Sequence, residues 1–298
     1  MKVAAASVLA ASSDKVSAKV FDETTFATPA NKKTKGITVR FLGTGAADWS
    51  IEAYREGEFF RRNSAVLIDR DLLIDPGAHI FHFAEHNGTP DLFDGVRNII
   101  VTHSHEDHFC PETVARLCLG RDCTLWADKC CLTKLTHALG EETVAGIRFV
   151  ETEINRDYEI GDYRITPLRA NHATEFPEET PRIYLVEKGG RILYYGCDSS
   201  WIPTTAWNVI RTRPVNALVM ELTCGETAPD DWRIFEHNTP DMLRLMLAMF
   251  KKYDCFAPDV KYYVSHLALT LHTDHERLCE FLAPLGVTPA YDGMTFEV

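Results

Sequence analysis

One twelve-residue run, VTHSHEDHFCPE at residues 101–112, limits the folds that this chain can adopt more than any other segment. Its first three residues end an apolar, β-branched segment, residues 97–103, which predicts a buried strand. Pro111 is typical of the first residue of a helix. In the turn lie three of the twelve histidines, within six residues, together with Glu106 and Asp107. Imidazole and carboxylate groups suit Zn²⁺, Mn²⁺ or Fe²⁺, so the run predicts a metal site between a strand and a helix.

The spacing inside this run fits two neighbouring ions. His103 and His105 lie two residues apart, so their imidazoles point to one side if the segment stays extended. Asp107 and His108 follow in the turn, where they can face a second centre. Paired ions lie about 3.5–4 Å apart, which this spacing allows. The alternative is a solvated polar turn, but four ligand-type residues directly after an apolar strand favour the metal site.

Each ion needs about four or five ligands, so further donors are expected elsewhere in the chain. Three candidates follow apolar strand patterns: His172 after YRITPLRA, Asp198 after RILYYGC, and His266 at the end of KYYVSHL. The carboxyl ends of strands are where α/β folds place their chemistry. Each residue alone is typical of a polar turn, but the shared position favours ligands. Neighbouring residues of an extended segment face opposite ways, so we expect Asp198 to reach the metals and Cys197 to face the core.

The rest of the chain predicts an α/β fold. Strand patterns cover residues 37–43, 65–70 and 72–75, the four apolar segments already described, and NALVMEL. A hairpin turn is predicted at residues 188–191. Helical patterns cover residues 111–119, 128–139, 240–252 and 273–282, with Thr239 or Asn238 as a plausible N-cap. Many strands with helices between them predict two sheets, each covered by helices, in one domain over residues 36–298. Residues 1–35, rich in Ala, Ser and Lys without a clear period, predict an N-terminal extension.

Composition narrows the class of protein. The formal net charge is −12, which argues against a general nucleic-acid binder and makes large RNA a weak candidate. The nine cysteines form no Cys-x-x-Cys pair, a pattern that suits reduced thiols in the cytoplasm. No segment is long and apolar enough to predict a membrane span, so no membrane partner is expected.

The ordered set of candidate ligands resembles that of the metallo-β-lactamase-fold hydrolases. The resemblance covers nearly the whole chain after the extension and implies a four-layer αββα sandwich with a dinuclear site at one edge of two sheets. It implies two divalent ions, Zn²⁺ or Mn²⁺ and alternatively Fe²⁺. Asp75, in LLIDPG, matches a strand-end Asp that supports the site; a β-turn role is its alternative. The implied ligands are His103, His105 and His172 for the first ion, Asp107, His108 and His266 for the second, and Asp198 as the bridge.

Further segments resemble the phosphodiesterase branch of the family, which includes phosphonate-pathway cyclic phosphodiesterases and tRNA 3′-processing endonucleases. These are RFLGTGAAD, RRNSAVLI, EHNTPDM and AYDGMTFEV. The resemblance implies that His237 is a general acid or a phosphate contact; a surface helix residue is the alternative. Arg61 and Arg62 are candidate phosphate contacts, and a solvated surface pair is the alternative. The chain lacks the cysteine-rich insertion of the first group and the basic Gly-rich arm of the second.

These features predict a phosphodiesterase that acts on a small or cyclic phosphodiester through a metal-bridging hydroxide, which Asp107 and Asp198 orient. Two alternatives remain at this point. The same metal pair supports hydrolysis of a lactone, thioester or other carboxylic ester, and the site could instead serve a non-catalytic metal sensor. A homodimer is implied only by analogy with the family.

Overall fold

Short apolar segments form fourteen strands in residues 36–227 and 231–298, the part of the chain that the computed structural model describes. The strands are β1 (Thr38–Gly43), β2 (Ala65–Ile68), β3 (Leu72–Ile74), β4 (Asn98–Ile100), β5 (Thr124–Ala127), β6 (Arg148–Glu151), β7 (Tyr158–Ile160), β8 (Tyr163–Arg169), β9 (Arg182–Lys188), β10 (Arg191–Gly196), β11 (Val215–Glu221), β12 (Phe256–Ser265), β13 (Val287–Pro289) and β14 (Thr295–Glu297). Residues 1–35, the predicted extension, lie outside the described residues.

The strands form two seven-stranded mixed sheets. The first has the order β14-β1-β2-β3-β4-β5-β6 and the second β13-β12-β11-β10-β9-β8-β7. In each sheet one half is antiparallel and the other parallel, with β3 to β6 parallel in the first and β10 to β13 parallel in the second. Parallel strands place their carboxyl ends at the same edge, so each sheet offers one edge where several loops meet.

Seven α-helices flank the sheets in these residue ranges: α1 (Ile80–His86), α2 (Pro111–Cys118), α3 (Lys129–Leu139), α4 (Glu141–Val144), α5 (Thr204–Ile210), α6 (Pro240–Lys252) and α7 (His275–Leu282). Short 3-10 helices cover Ile51–Ala53, Trp232–Phe235 and Ala283–Leu285. Thr239 caps α6 by accepting a hydrogen bond from the backbone N–H of Met242, which satisfies one of the free donors at a helix start. None of these helices has the length and apolarity needed to cross a membrane.

Three apolar layers hold this arrangement together. The central layer lies between the sheets and contains Phe41 and Ile74 of the first sheet with Tyr195 and Val219 of the second. Outer layers separate the first sheet from α1 to α3 and the second sheet from α5 to α7. Full burial of one such side chain contributes roughly 1.5–3 kcal/mol, so the central layer fixes the sheets against each other. The predicted four-layer αββα sandwich is confirmed.

Most differences from the predicted elements lie at strand ends and in short strands. The strand predicted over residues 97–103 ends at Ile100, so His103 belongs to the loop. The strands β5, β6, β7, β13 and β14 and the helices α1, α4 and α5 were not predicted, because each is too short to establish a period. The predicted hairpin is present, with Lys188 paired to Arg191 across Gly189 and Gly190, whose φ angles of 58° and 77° favour glycine.

Candidate metal centre

The loops that follow five strands meet at one edge of the sandwich. The loop after β4 carries His103, and the loop after β8 carries His172. Asp198 follows β10 and His266 follows β12 directly, while Asp75 follows β3. Because both sheets present parallel strands there, their carboxyl ends bring these side chains together.

The first donor set consists of His103, His105 and His172, whose candidate ligand atoms lie within 4.8 Å of one another. His105 Nδ1 lies 3.0 Å from His103 Nε2 and 3.2 Å from His172 Nε2. The three rings meet edge-on, at interplanar angles of 71–86°. Such a convergence of three imidazole nitrogens is a geometry that can hold one metal ion.

The second donor set consists of Asp107, His108, Asp198 and His266, again with ligand atoms within 4.8 Å of one another. Asp107 Oδ2 lies 3.3 Å from His108 Nε2 and 3.2 Å from His266 Nε2. Asp107 is the most exposed of the four, with 11% of its side chain accessible. The set combines two imidazoles with two carboxylates.

Asp198 lies between the two donor sets. Its Oδ2 is 3.2 Å from His108 Nε2 in the second set, and 3.7 and 3.8 Å from His103 Nε2 and His172 Nε2 in the first. One carboxylate oxygen thus faces both sets. Cys197 points the other way and is buried in the layer between the sheets, as the alternation of an extended segment predicts.

Two imidazoles of the first donor set, those of His103 and His172, are held in the form that binds metals. Burial, followed by the nearby charge of His108, holds the pKa of His103 well below its usual range. Burial likewise lowers the pKa of His172 to about 3. Both imidazoles are therefore neutral at physiological pH, with a lone pair free for a cation.

The second donor set carries opposed charges. Burial alone would raise the pKa of Asp107 and Asp198, but the adjacent His108 and His266 hold both pKa values well below the usual range. In return, these carboxylates overcome burial and raise the pKa of His266 to about 10 and that of His108 well above its usual range. Two buried carboxylates thus require positive charge, which protons on the imidazoles provide and a divalent ion would provide instead.

The donor atoms fit divalent cations. His108 Nε2 is buried and has no hydrogen-bond partner among the described residues, although it lies within 3.3 Å of two carboxylate oxygens. A buried ring nitrogen without a partner is costly unless something binds it. Seven imidazole and carboxylate ligands, with no thiolate, suit Zn²⁺, Mn²⁺ or Fe²⁺.

Asp75 lies beside the second donor set and positions His108. It is fully buried, accepts hydrogen bonds from the Thr102 backbone N–H and hydroxyl, and lies with Oδ2 3.0 Å from His108 Nδ1. This contact fixes the His108 ring with Nε2 toward the carboxylates. Asp75 and His266 have positive φ angles of 60° and 54°, a strain of order 1–3 kcal/mol each that the surrounding structure must hold in place.

Ser104 lies between two histidines of the first donor set, and two other side chains form hydrogen bonds with it. Glu179 is buried and accepts hydrogen bonds from the Ser104 backbone N–H, at 2.9 Å, and hydroxyl, at 2.5 Å. Lys134 donates to the Ser104 carbonyl at 2.7 Å and to Glu175 at 3.0 Å. Since Glu179 belongs to the loop that also carries His172, these contacts tie two ligand segments together.

His237 lies beside the centre and is 9% exposed. Its ring stacks on His266 at a centroid distance of 5.6 Å. Its Nδ1 lies 3.2 Å from Thr223 Oγ1 and 3.7 Å from Glu221 Oε2. Burial opposes the charged imidazolium, but Glu221, with Asp198, raises the pKa of His237 above its usual value.

Arg61 and Arg62, the predicted phosphate contacts, lie inside the protein and contact other protein groups. Both residues are buried, with only 3% and 4% of their surface exposed. Arg61 donates to Thr44 Oγ1 at 2.7 Å and contacts His275 Nδ1 at 2.9 Å. Arg62 forms an ion pair with Asp292 at 3.2 Å. Their guanidinium groups bind protein atoms and join the loop after β1 to the C-terminal segment.

The structure adds residues that the sequence analysis missed. Glu221 is fully buried at the end of β11 and accepts hydrogen bonds from the Thr223 backbone and hydroxyl. Thr223 Oγ1 in turn lies 2.7 Å from His266 Nδ1. An acidic residue at the end of the apolar pattern NALVMEL was the available signal. Glu179 lies in a loop without any such pattern.

Comparisons with known proteins agree with this geometry. A family model described as Beta-lactamase superfamily domain matches residues 70–274. No curated protein matches the chain.

Three solved structures illustrate the similarity. Zn²⁺-bound PqqB from Methylobacterium extorquens has a TM-score of 0.67 and 16% identity, covering 88% of this chain and 100% of that chain. A diphosphatase from the PhnP family has a TM-score of 0.65 and 20% identity, covering 88% of this chain and 98% of that chain. The short form of human tRNase Z has a TM-score of 0.62 and 18% identity, covering 87% of this chain and 98% of that chain. At these identities the likeness shows the fold.

Proposed function

The chain belongs to the beta-lactamase superfamily, whose fold carries metal-dependent hydrolases, and from that premise we propose that it is a dinuclear phosphodiesterase. The observation that carries the proposal is Asp198, whose one carboxylate oxygen faces both donor sets. Asp198 and Asp107 give the second set two carboxylates, which favour hard ions such as Mn²⁺ beside Zn²⁺. Two ions, when bound, would supply Lewis acidity to phosphate oxygens and lower the pKa of water at the site.

The protein's own groups have distinct roles in the proposed reaction. The two donor sets would hold the ions, and His105 and Asp107 are half-buried members of these sets on the solvent side. Asp107 is placed to accept a hydrogen bond from the attacking water and so to orient it. Asp75 and Glu179 keep the His108 ring and the Ser104 segment in position.

His237 is the proposed proton donor to the leaving oxygen. Its Nδ1 faces Thr223 and Glu221, which leaves Nε2 free to hold a proton toward the substrate. The carboxylate of Glu221 stabilises the protonated imidazole, as a general acid requires. Cleavage of a phosphodiester produces an alkoxide, and protonation of that alkoxide is the step that such a group assists.

A small or cyclic phosphodiester is the proposed substrate class. The net charge of −12 disfavours a long polyanion. Among structures of similar fold, one is described as a diphosphatase and another as tRNase Z, so the fold carries phosphate-ester chemistry elsewhere. We also propose a cytoplasmic location, because nine unpaired cysteines suit a reducing compartment.

The test compares two ester classes on one preparation. Protein stripped of metal and then supplied with Mn²⁺ or Zn²⁺ would be assayed on bis(p-nitrophenyl) phosphate and on an acyl lactone. We expect metal-dependent cleavage of the phosphodiester. Strong lactone hydrolysis without phosphodiester cleavage would replace the proposal with a carboxylic-ester hydrolase, and inactivity of the metal-loaded protein on every ester class would favour a sensor.

A further inference from the structure

Three large aromatic side chains are exposed on the two segments that carry Asp198 and His237. Trp201 lies three residues after Asp198, and Trp232 and Phe235 form the ends of the 3-10 helix just before His237. Their exposed fractions are 46%, 68% and 76%. Burial of a large aromatic ring is favourable, so a group of exposed rings indicates a binding surface.

Hydrogen bonds hold these two segments together at the centre. Ser200 Oγ donates to the Ile234 carbonyl at 3.1 Å, and Asn238 Nδ2 donates to the Ser199 carbonyl at 2.8 Å. Glu236, next to Phe235, reaches to 3.8 Å from His172 Nδ1 of the first donor set. The two loops that carry the aromatic residues are therefore joined to each other beside the metal centre.

The 3-10 helix is anchored, so its exposed rings are presented by a fixed support. Asp231 caps it by accepting a hydrogen bond from the backbone N–H of Arg233. Ile234 packs against a small buried cluster that includes Ala46 and Leu271. Trp232 and Phe235 thus face solvent while their neighbour faces the protein.

We propose that Trp201, Trp232 and Phe235 form an aromatic rim that binds a planar ring, a nucleobase or aryl group, on the part of the substrate beside the scissile phosphate. This inference rests on the proposed phosphodiesterase function and names its substrate class. Aromatic side chains bind bases by stacking without regard to sequence. The net charge of −12 disfavours a long polyanion, so the proposed ligand is a small molecule.

An aliphatic substituent is the rival ligand. Beyond Trp201 an apolar groove of about 290 Å³ continues between α5 and α6, lined by Trp207, Leu245, Met249 and Tyr253. An alkyl chain would fill this groove, whereas a ring would stack on the rim. The experiment therefore has to separate the two.

The kinetic test uses esters that share p-nitrophenol as the leaving group: the p-nitrophenyl ester of thymidine 5′-monophosphate, methyl p-nitrophenyl phosphate and decyl p-nitrophenyl phosphate. We expect the metal-loaded enzyme to prefer the thymidine ester through a lower KM. Trp201→Ala and Phe235→Ala should each reduce that preference by about tenfold. Phe281→Ala is the matched control, since Phe281 is 45% exposed on α7; it should leave the preference unchanged.

Binding provides a second readout that does not need turnover. Calorimetry on the metal-loaded protein would compare thymidine 5′-monophosphate with inorganic phosphate. We expect the nucleotide to bind about tenfold more tightly, with that advantage lost in Trp201→Ala. Equal affinity for the two ligands, an unchanged advantage in both variants, or a preference for the decyl ester would overturn the proposal.

If no ester is cleaved but the nucleotide keeps its advantage, the proposed function fails while the rim stands as a ring-binding site.

Discussion

Asp198 is the residue on which the proposed dinuclear centre depends. It is buried, its pKa is held well below the usual range by the two neighbouring imidazoles, and one of its oxygens faces both donor sets. A carboxylate in that position reduces repulsion between two cations and fixes the distance between them. His237 has a different proposed role, since it lies outside both sets of proposed ligands and faces Glu221 instead.

His237→Ala should separate metal binding from proton donation. We expect the variant to keep its metal content and to lose about 10²–10⁴-fold in kcat on an alkyl phosphodiester. The loss should be smaller on bis(p-nitrophenyl) phosphate, because p-nitrophenolate leaves without a proton. Elemental analysis and kinetics on both substrates check this.

His86→Ala supplies the control, since His86 is exposed and contacts Tyr54 away from the centre. Equal rate losses on both substrates, or unchanged kinetics, would remove His237 from the role of general acid.

At the scale of single residues, the predicted donors share one sequence feature, an apolar strand before each donor segment. His172 and Asp198 are far apart in the chain, yet both occupy strand ends, and the structure brings them to 3.8 Å. The same rule applied to Glu221 would have located it too. The burial of Arg61 could not be predicted, because a sequence shows charge but not which charged side chains are buried.

At the scale of elements, the loop between β8 and β9 positions the first donor set. It carries His172, and its Glu179 holds Ser104 through two hydrogen bonds. Removal of one buried acceptor leaves the Ser104 N–H or hydroxyl unsatisfied, which costs about 1–3 kcal/mol. We expect the segment to rearrange in response, which would displace the neighbouring histidines.

Glu179→Ala, which removes both acceptors, is therefore expected to weaken metal binding by about 10–100-fold, as supporting residues do elsewhere. Competition with a chromophoric chelator would measure it. Glu175→Ala is the matched control, because Glu175 lies in the same loop and pairs with Lys134 but is half exposed. Equal affinities in the two variants would show that Glu179 has no positioning role.

Sequence periodicity predicted the long elements well. α6 has the bounds that its pattern and Thr239 cap predicted, and α2 starts at Pro111 as expected. β7 and β13 have three residues each, too few to establish a period, and their place in the sheet depends on β8 and β12. Tertiary pairing, which no local pattern records, decides such strands.

At the scale of the whole molecule, a buried ion pair joins the two sheets. Asp128, which follows β5 of the first sheet, lies 2.9 Å from Arg182 at the start of β9 of the second. Burial would raise the pKa of Asp128, but the backbone N–H of Cys130 and the charge of Arg182 outweigh it and lower that pKa. A lowered pKa means that the contribution to stability is complete above the unfolded value, about 3.9, and is lost as pH falls through the folded value.

Asp128→Asn should thus reduce the free energy of unfolding by about 3 kcal/mol at pH 7, with the difference from the wild type shrinking below about pH 4. Urea unfolding of the metal-loaded proteins at several pH values would measure this, since the metal centre contributes equally to both. Asp122→Asn removes the exposed pair with Arg148 and should have almost no effect. A pH-independent difference would contradict the assigned role of Asp128.

The most direct measurement for the whole account is the number of metal ions per chain, obtained by elemental analysis of protein purified without chelator. We expect about two divalent ions in the wild type, one for each donor set, and fewer than about one in Asp198→Ala, since both sets share that carboxylate. A wild-type protein with a single ion or none, or an Asp198→Ala variant that keeps both ions, would contradict a dinuclear centre joined by Asp198.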